Sequence, residues 1–165
     1  MIKLIRLDER LIHGQVAIKW SRHVGVDRIV VANADAAANE FVQQSLMMAA
    51  PPTAKVAIKD IPGAVELLSD PRAAQLKILV VVATPDDLLS LVTRVPGIAA
   101  VNIGNYGRVA ARTGDTPRRS FGANLYLYPA EVEVLREVVA TGIPAVVQTT
   151  PEDSPLALGN VLSNH

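Results

Sequence analysis

From one end of the chain to the other, short runs of β-branched residues alternate with segments whose apolar residues recur every three or four positions. Strands separated by helices cannot turn back on one another as hairpins. They lie parallel, need cover on both faces and cross over with one hand. The pattern predicts strands over 2–7, 28–32, 55–59, 78–83, 98–103, 125–128 and 145–148, and helices over 14–24, 37–50, 61–69, 85–95 and 130–141. The fold class expected is α/β: a single domain over 1–165, built on an open, twisted, mostly parallel sheet of about seven strands with helices on both faces. Local signals agree. Thr84-Pro85-Asp86-Asp87 offers a helix cap, a proline in the first turn and two acids near the helix start. Pro129 opens another helix, whose Val132, Leu135, Val138 and Val139 share a face before Gly142 ends it, and Pro51-Pro52 closes the second.

Composition removes several function classes. Basic and acidic residues both number 16 and the few aromatics are scattered, which argues against nucleic acid as a partner. There is no cysteine, so disulfides, thiolate catalysis and cysteine–zinc sites are excluded, in keeping with a reducing compartment. The longest strongly apolar run, 78–83, is far short of the roughly 20 residues a membrane span needs, and MIKLIRLDER is not a secretory leader. A cytoplasmic protein is expected.

The chemistry gathers in residues 6–16, RLDERLIHGQV. If 2–7 is the first strand, 8–12 form the loop at its carboxyl end, where open α/β sheets collect their ligands. His13 then stands at the mouth of a helix whose N-terminal N–H groups and dipole favour an anion. No G-x-S-x-G elbow, Walker loop or G-x-G-x-x-G motif is present, and a metal site would need more ligands, while His23 and His165 lie at a helix end and at the C-terminus. Imidazole as a nucleophile toward phosphorus remains attractive. Arg10 can fork onto phosphoryl oxygens, and the backbone of Leu11, Ile12, Gly14, Gln15 and Val16 can cradle them. Asp8 can fix the ring's tautomer, and Gly14 allows close approach. Such a site requires no metal and no cofactor. By spacing alone a histidine before a helix is more often a capping or partly buried residue than a nucleophile, and Arg6, Asp8, Glu9 and Arg10 can simply form surface ion pairs. Arg6 near the end of the first strand, Asn33 and Asp35 after the second, and Asn102, Gly104 and Asn105 after the fifth are candidates for the site's rim on one sheet edge, although Asn33 and Asp35 also suit a helix cap.

Residues 6–16 closely resemble the active-site motif of the enzyme IIB components of the mannose–fructose–sorbose class of the bacterial phosphoenolpyruvate-dependent sugar phosphotransferase system. Trp20, DRIVVANADAAAN, MMAAPP, VNIGN and VVQTTPEDSP follow in the family's order, so the likeness spans essentially the whole chain. It implies a protein-histidine–sugar phosphotransferase, cytoplasmic and peripherally attached to a membrane permease. His13 would be the residue phosphorylated by a partner IIA protein, Arg10 the phosphoryl stabiliser and Asp8 the residue behind the ring. The group would pass to a sugar presented by the membrane subunits IIC and IID. A regulatory phosphosensor of the same fold is the alternative, and a homo-oligomer is left open. The chain departs from the family pattern at Asn105, where a second glycine is usual. It departs also in 104–122, which carries Arg108, Arg112, Arg118 and Arg119 against the lone acid Asp115. Arg108, Arg112, Arg118 or Arg119 is expected to form part of a docking surface for an acidic face of IIA.

Overall fold

The computed structural model describes residues 1–122 and 124–164; His165 lies outside them. In chain order the elements are β1 (Ile2–Leu7), α1 (Gly14–Val24), β2 (Arg28–Ala32), α2 (Ala34–Ala37), α3 (Glu40–Ala49), β3 (Lys55–Lys59) and α4 (Ile61–Ser69). After a 3-10 turn at Pro71–Gln75 come β4 (Ile78–Val82), α5 (Pro85–Arg94), β5 (Val101–Ile103), β6 (Arg119–Ser120) and β7 (Tyr126–Leu127). The described chain closes with α6 (Pro129–Ala140), β8 (Ala145–Val147), β9 (Leu156–Ala157) and α7 (Leu158–Ser163).

Seven strands form one sheet in the order β3-β2-β4-β1-β5-β8-β9, parallel except for β9 at the edge. All five residues of β4 are buried, and Lys3 is the one residue of β1 that is not. Such continuous apolar runs belong to strands covered on both sides. Two apolar clusters show the layers. Leu4, Ile29, Val31, Leu79 and Val81 pack with Ile12, Ala17, Trp20 and Leu46 on the side of α1 and α3. Ile5, Leu7, Val30, Val80 and Val82 pack with Leu68, Leu88, Leu91, Leu135 and Leu158 on the side of α4, α5, α6 and α7.

The order of strands places the site. The chain leaves β1 through α1 on one face toward β2, and leaves β5 in the opposite sense through α6 on the other. The carboxyl ends of β1 and β5 therefore part their loops, which is the switch-point crevice of an open α/β sheet.

Four expectations need correction. The helix read over 37–50 starts at Glu40, and a separate short helix, Ala34–Ala37, lies before it. The Asn33 side chain accepts from Ala36 N–H at 2.9 Å and that of Asn39 from Val42 N–H at 3.1 Å, so the second asparagine starts a new helix instead of continuing the first. The strand read over 98–103 pairs regularly only from Val101; before it, Ile98 makes a single bridge to Ile2. The apolar run 125–128 is a strand, but its partner is β6, in a separate two-stranded antiparallel ribbon, and β8 takes the place beside β5. Both β9 and α7 went unread: two and six residues are too few to show a period. On α6, Leu135 and Val138 are buried while Val139 is about a third exposed.

Candidate functional site

A tight turn joins β1 to α1. The Asp8 carbonyl accepts from Leu11 N–H at 2.9 Å, and Leu11 sits at φ 61°, left-handed and unusual for a leucine. Gly14 follows at φ 50°, and a Cβ on it would meet nothing within 4 Å, so backbone conformation rather than crowding calls for glycine. Between them His13 is extended at the N-cap of α1, and its side chain makes no capping bond. The ring is turned instead toward Asp8, with Nε2 3.1 Å from Oδ2, and is about a quarter exposed.

Asp8 is fully buried, and four groups converge on it. Oδ1 accepts from Arg10 N–H at 3.1 Å, while Oδ2 faces Arg6 Nη2 at 3.1 Å, Asn105 Nδ2 at 3.2 Å and the His13 ring. Burial alone would raise its pKa. The hydrogen bond from His13, the charge of Arg6 and the Arg10 N–H outweigh burial and hold the carboxyl below its ordinary value. Arg6 is itself buried in β1. It donates to the side chain of Asn102, its register neighbour on β5, and to the carbonyls of Gln148 at 3.1 Å and Thr149 at 3.0 Å. Its guanidinium lies 5.1 Å from the Trp20 ring, whose Nε1 donates to the same Thr149 carbonyl at 3.0 Å. A Cβ at Gly104 would overlap that guanidinium, so this glycine makes room for Arg6. Asn102 Nδ2 is buried without a partner among the described residues.

A second carboxylate ties in residues 104–122. Glu9, between Asp8 and Arg10, accepts from four consecutive backbone N–H groups: Gly107 at 3.0 Å, Arg108 at 3.3 Å, Val109 at 3.2 Å and Ala110 at 3.0 Å. Its own N–H reaches the Asn105 carbonyl at 2.9 Å. The far end is fixed by Arg118, whose Nε pairs with Glu131 at 2.9 Å and which lies against the rings of Tyr106 and Tyr128. Glu131 accepts also from the Tyr106 hydroxyl and the Tyr128 N–H, and burial, which would raise its pKa, is outweighed by the bond from Arg118.

The structure thus brings Arg6, Asp8, His13, Asn102, Gly104 and Asn105 together, with Arg10 exposed beside them and free of hydrogen bonds or ion pairs through its side chain among the described residues. The backbone of Leu11, Ile12, Gly14, Gln15 and Val16 forms the turn and first helical turn at the ring. Asn33 and Asp35 stand apart, beyond β4, with Asn33 used as a helix cap. Arg118 is withdrawn from the expected docking surface because its side chain is only 7 % exposed and already paired. Sequence reasoning passed over Glu9, which looked like a surface charge, and placed Asn105 at the rim without assigning it the bond to Asp8. Neither the Gln148 nor the Thr149 carbonyl carries a side-chain signature. Among the described residues no three His, Cys, Asp or Glu gather as metal ligands. A cleft of about 570 Å³ between β2, β3 and α4 holds no histidine and lies away from this chemistry.

Comparison with known proteins decides the family. The family model of the sorbose-subfamily IIB component of the phosphotransferase system matches residues 2–165. The chain belongs to that family. A probable phosphotransferase enzyme IIB component of Streptococcus pyogenes is 37% identical over 145 residues, covering 85% of each chain. The crystal structure of the IIBSor domain of the Klebsiella pneumoniae sorbose permease superposes with a TM-score of 0.88 at 28% identity, covering 99% of this chain and 97% of that one. The mannose-specific EIIAB component of Escherichia coli is 28% identical over 163 residues, and this chain spans about half of it (49%). As a IIB component the chain is part of a sugar phosphotransferase system, and families of this kind work with IIA and the membrane components IIC and IID. No described helix is long and apolar enough to cross a membrane.

Proposed function

We propose that His13 carries a phosphoryl group on Nδ1, taking it from phospho-IIA and passing it to a sugar presented by IIC and IID. The observation that carries this reading is the contact of His13 Nε2 with the buried Asp8. An ionised carboxylate can only accept, so Nε2 bears the ring proton and Nδ1 keeps an in-plane lone pair. That lone pair attacks phosphorus. The bond from phosphorus to the donor nitrogen breaks, and its electron pair returns to the donor ring.

The phosphorylated ring is cationic, and the Asp8 carboxylate opposite Nε2 offsets that charge. The N–H groups opening α1 and the unpaired Arg10 guanidinium are suited to the phosphoryl oxygens, with Ile12, Gly14, Gln15 and Val16 supplying backbone, while the Leu11 N–H is already given to the Asp8 carbonyl. In the second step a sugar hydroxyl oxygen attacks phosphorus, the P–Nδ1 pair returns to the imidazole and the hydroxyl proton leaves to the acceptor side. Alignment and charge carry both steps without a metal.

Incubation with phosphoenolpyruvate, the general phosphotransferase proteins and a IIA protein should label the chain in an acid-labile, base-stable form, and phosphorus NMR should place the label on Nδ1. Undiminished labelling of His13→Ala, or label on Nε2, would refute the assignment.

A further inference from the structure

Beside the site, Gly107, Arg108, Arg112, Pro117, Arg118, Tyr126 and Tyr128 line an open groove of about 300 Å³. Arg118 is neutralised there by Glu131, but Arg108 and Arg112 have no acidic partner among the described residues. Arg108 lies 5.5 Å from the Tyr126 ring and bonds its hydroxyl at 3.4 Å, while Arg112 is exposed without any such contact. A guanidinium without an acidic partner can receive a carboxylate on its forked donors, and the Tyr126 ring holds that of Arg108 in place.

The groove's position relative to His13 is fixed. Glu9 stands one residue from both Asp8 and Arg10, and its carboxylate clasps the backbone of 107–110, so the arginine-bearing wall is held beside the reacting ring. This wall therefore flanks the loop that carries His13, where a phosphoryl donor has to dock. Resting on the phosphocarrier reading above, we propose that the groove docks an acidic segment of the phosphoryl-donor protein, with Arg108 and Arg112 as the receiving cations and Tyr126 and Tyr128 as the walls. Of the four arginines in 104–122, two are thus given this role, one is structural, and Arg119, against the Phe121 ring at 5.5 Å, lies outside the groove.

The test uses the IIA part of the Escherichia coli mannose-specific EIIAB relative as the probe, with wild type, the double variant Arg108→Gln/Arg112→Gln, and a control, Arg22→Gln/Arg94→Gln. The control removes equal charge from exposed helix ends. Titration with unphosphorylated probe should show about tenfold weaker binding for the double variant and a shallower dependence on salt, with the control near wild type. With phosphorylated probe, the donor KM should rise about tenfold while the rate at saturation changes less than twofold. Equal affinity, KM and salt slope in wild type and double variant overturn the proposal, as does an equal loss in the control or no binding by wild type. Binding by wild type without labelling of His13 refutes the phosphocarrier reading alone.

Discussion

At the scale of single residues, the site depends on a buried charge that several groups share. Arg6 and Asp8 are both sequestered in the sheet's centre, where an ion pair is stable only if its other donors and acceptors are also met. Arg6 meets Asn102 and two carbonyls, and Asp8 meets His13, Asn105 and a backbone N–H. Asp8→Asn keeps the shape and removes the charge, leaving Arg6 buried without an ionised partner. Urea unfolding should show a loss of about 3 kcal/mol. Labelling should slow as well, because a neutral amide no longer holds the proton on Nε2 or offsets the cationic ring. A variant of wild-type stability would show that Arg6 is satisfied by carbonyls alone. Asp8 and His13 were legible in the sequence because a polar cluster ended an apolar strand just before a helix. Asn105 was legible as a rim residue and as an exception to the family pattern, and its amide now has a use that glycine could not supply.

Among the elements, what sequence made clear was what has a period. The bounds of β1, α1, β2, β3 and α4 follow directly from the spacing of apolar residues, and Thr84 caps α5 as its side chain suggested, accepting from Asp87 N–H at 3.1 Å. What escaped was order imposed from a distance. Residues 104–122 have no period because no helix or long strand shapes them; two carboxylates outside the segment, Glu9 and Glu131, organise it instead. This makes Glu9→Ala informative. Four N–H groups lose their acceptor, but Arg108 and Val109 are exposed enough for water to take over. The stability lost should therefore be about 1 kcal/mol, toward the low end for unmet donors. Amide exchange at 107–110 should accelerate at least tenfold while β1, β4 and β5 keep their protection. Unchanged exchange at those four amides would mean that the ribbon of β6 and β7, rather than Glu9, holds the loop.

Across the whole molecule, the two carboxylates act together: Asp8 joins β1, α1 and the loop after β5, and Glu131 joins α6 to the far end of the arginine-bearing segment. Both are held below their ordinary values in the folded protein despite burial. A group whose folded pKa lies below its unfolded one gives stability that is full above the unfolded value, near 4 for these side chains, and that is lost as pH falls through the folded value. Asp87 works the other way, since burial raises its pKa and it takes up a proton more readily when folded, which partly offsets the loss. The protein should hold its stability from neutral pH to about 4 and lose it steeply below, as protonation removes the partners of Arg6 and Arg118 together. Urea midpoints between pH 2.5 and 7 measure this directly. Asp8→Asn, already weakened at neutral pH, should fall less steeply than wild type in acid, and Glu131→Gln likewise. A slope below pH 4 as steep in both variants as in wild type would place the acid sensitivity elsewhere in the fold and remove these two carboxylates as its cause.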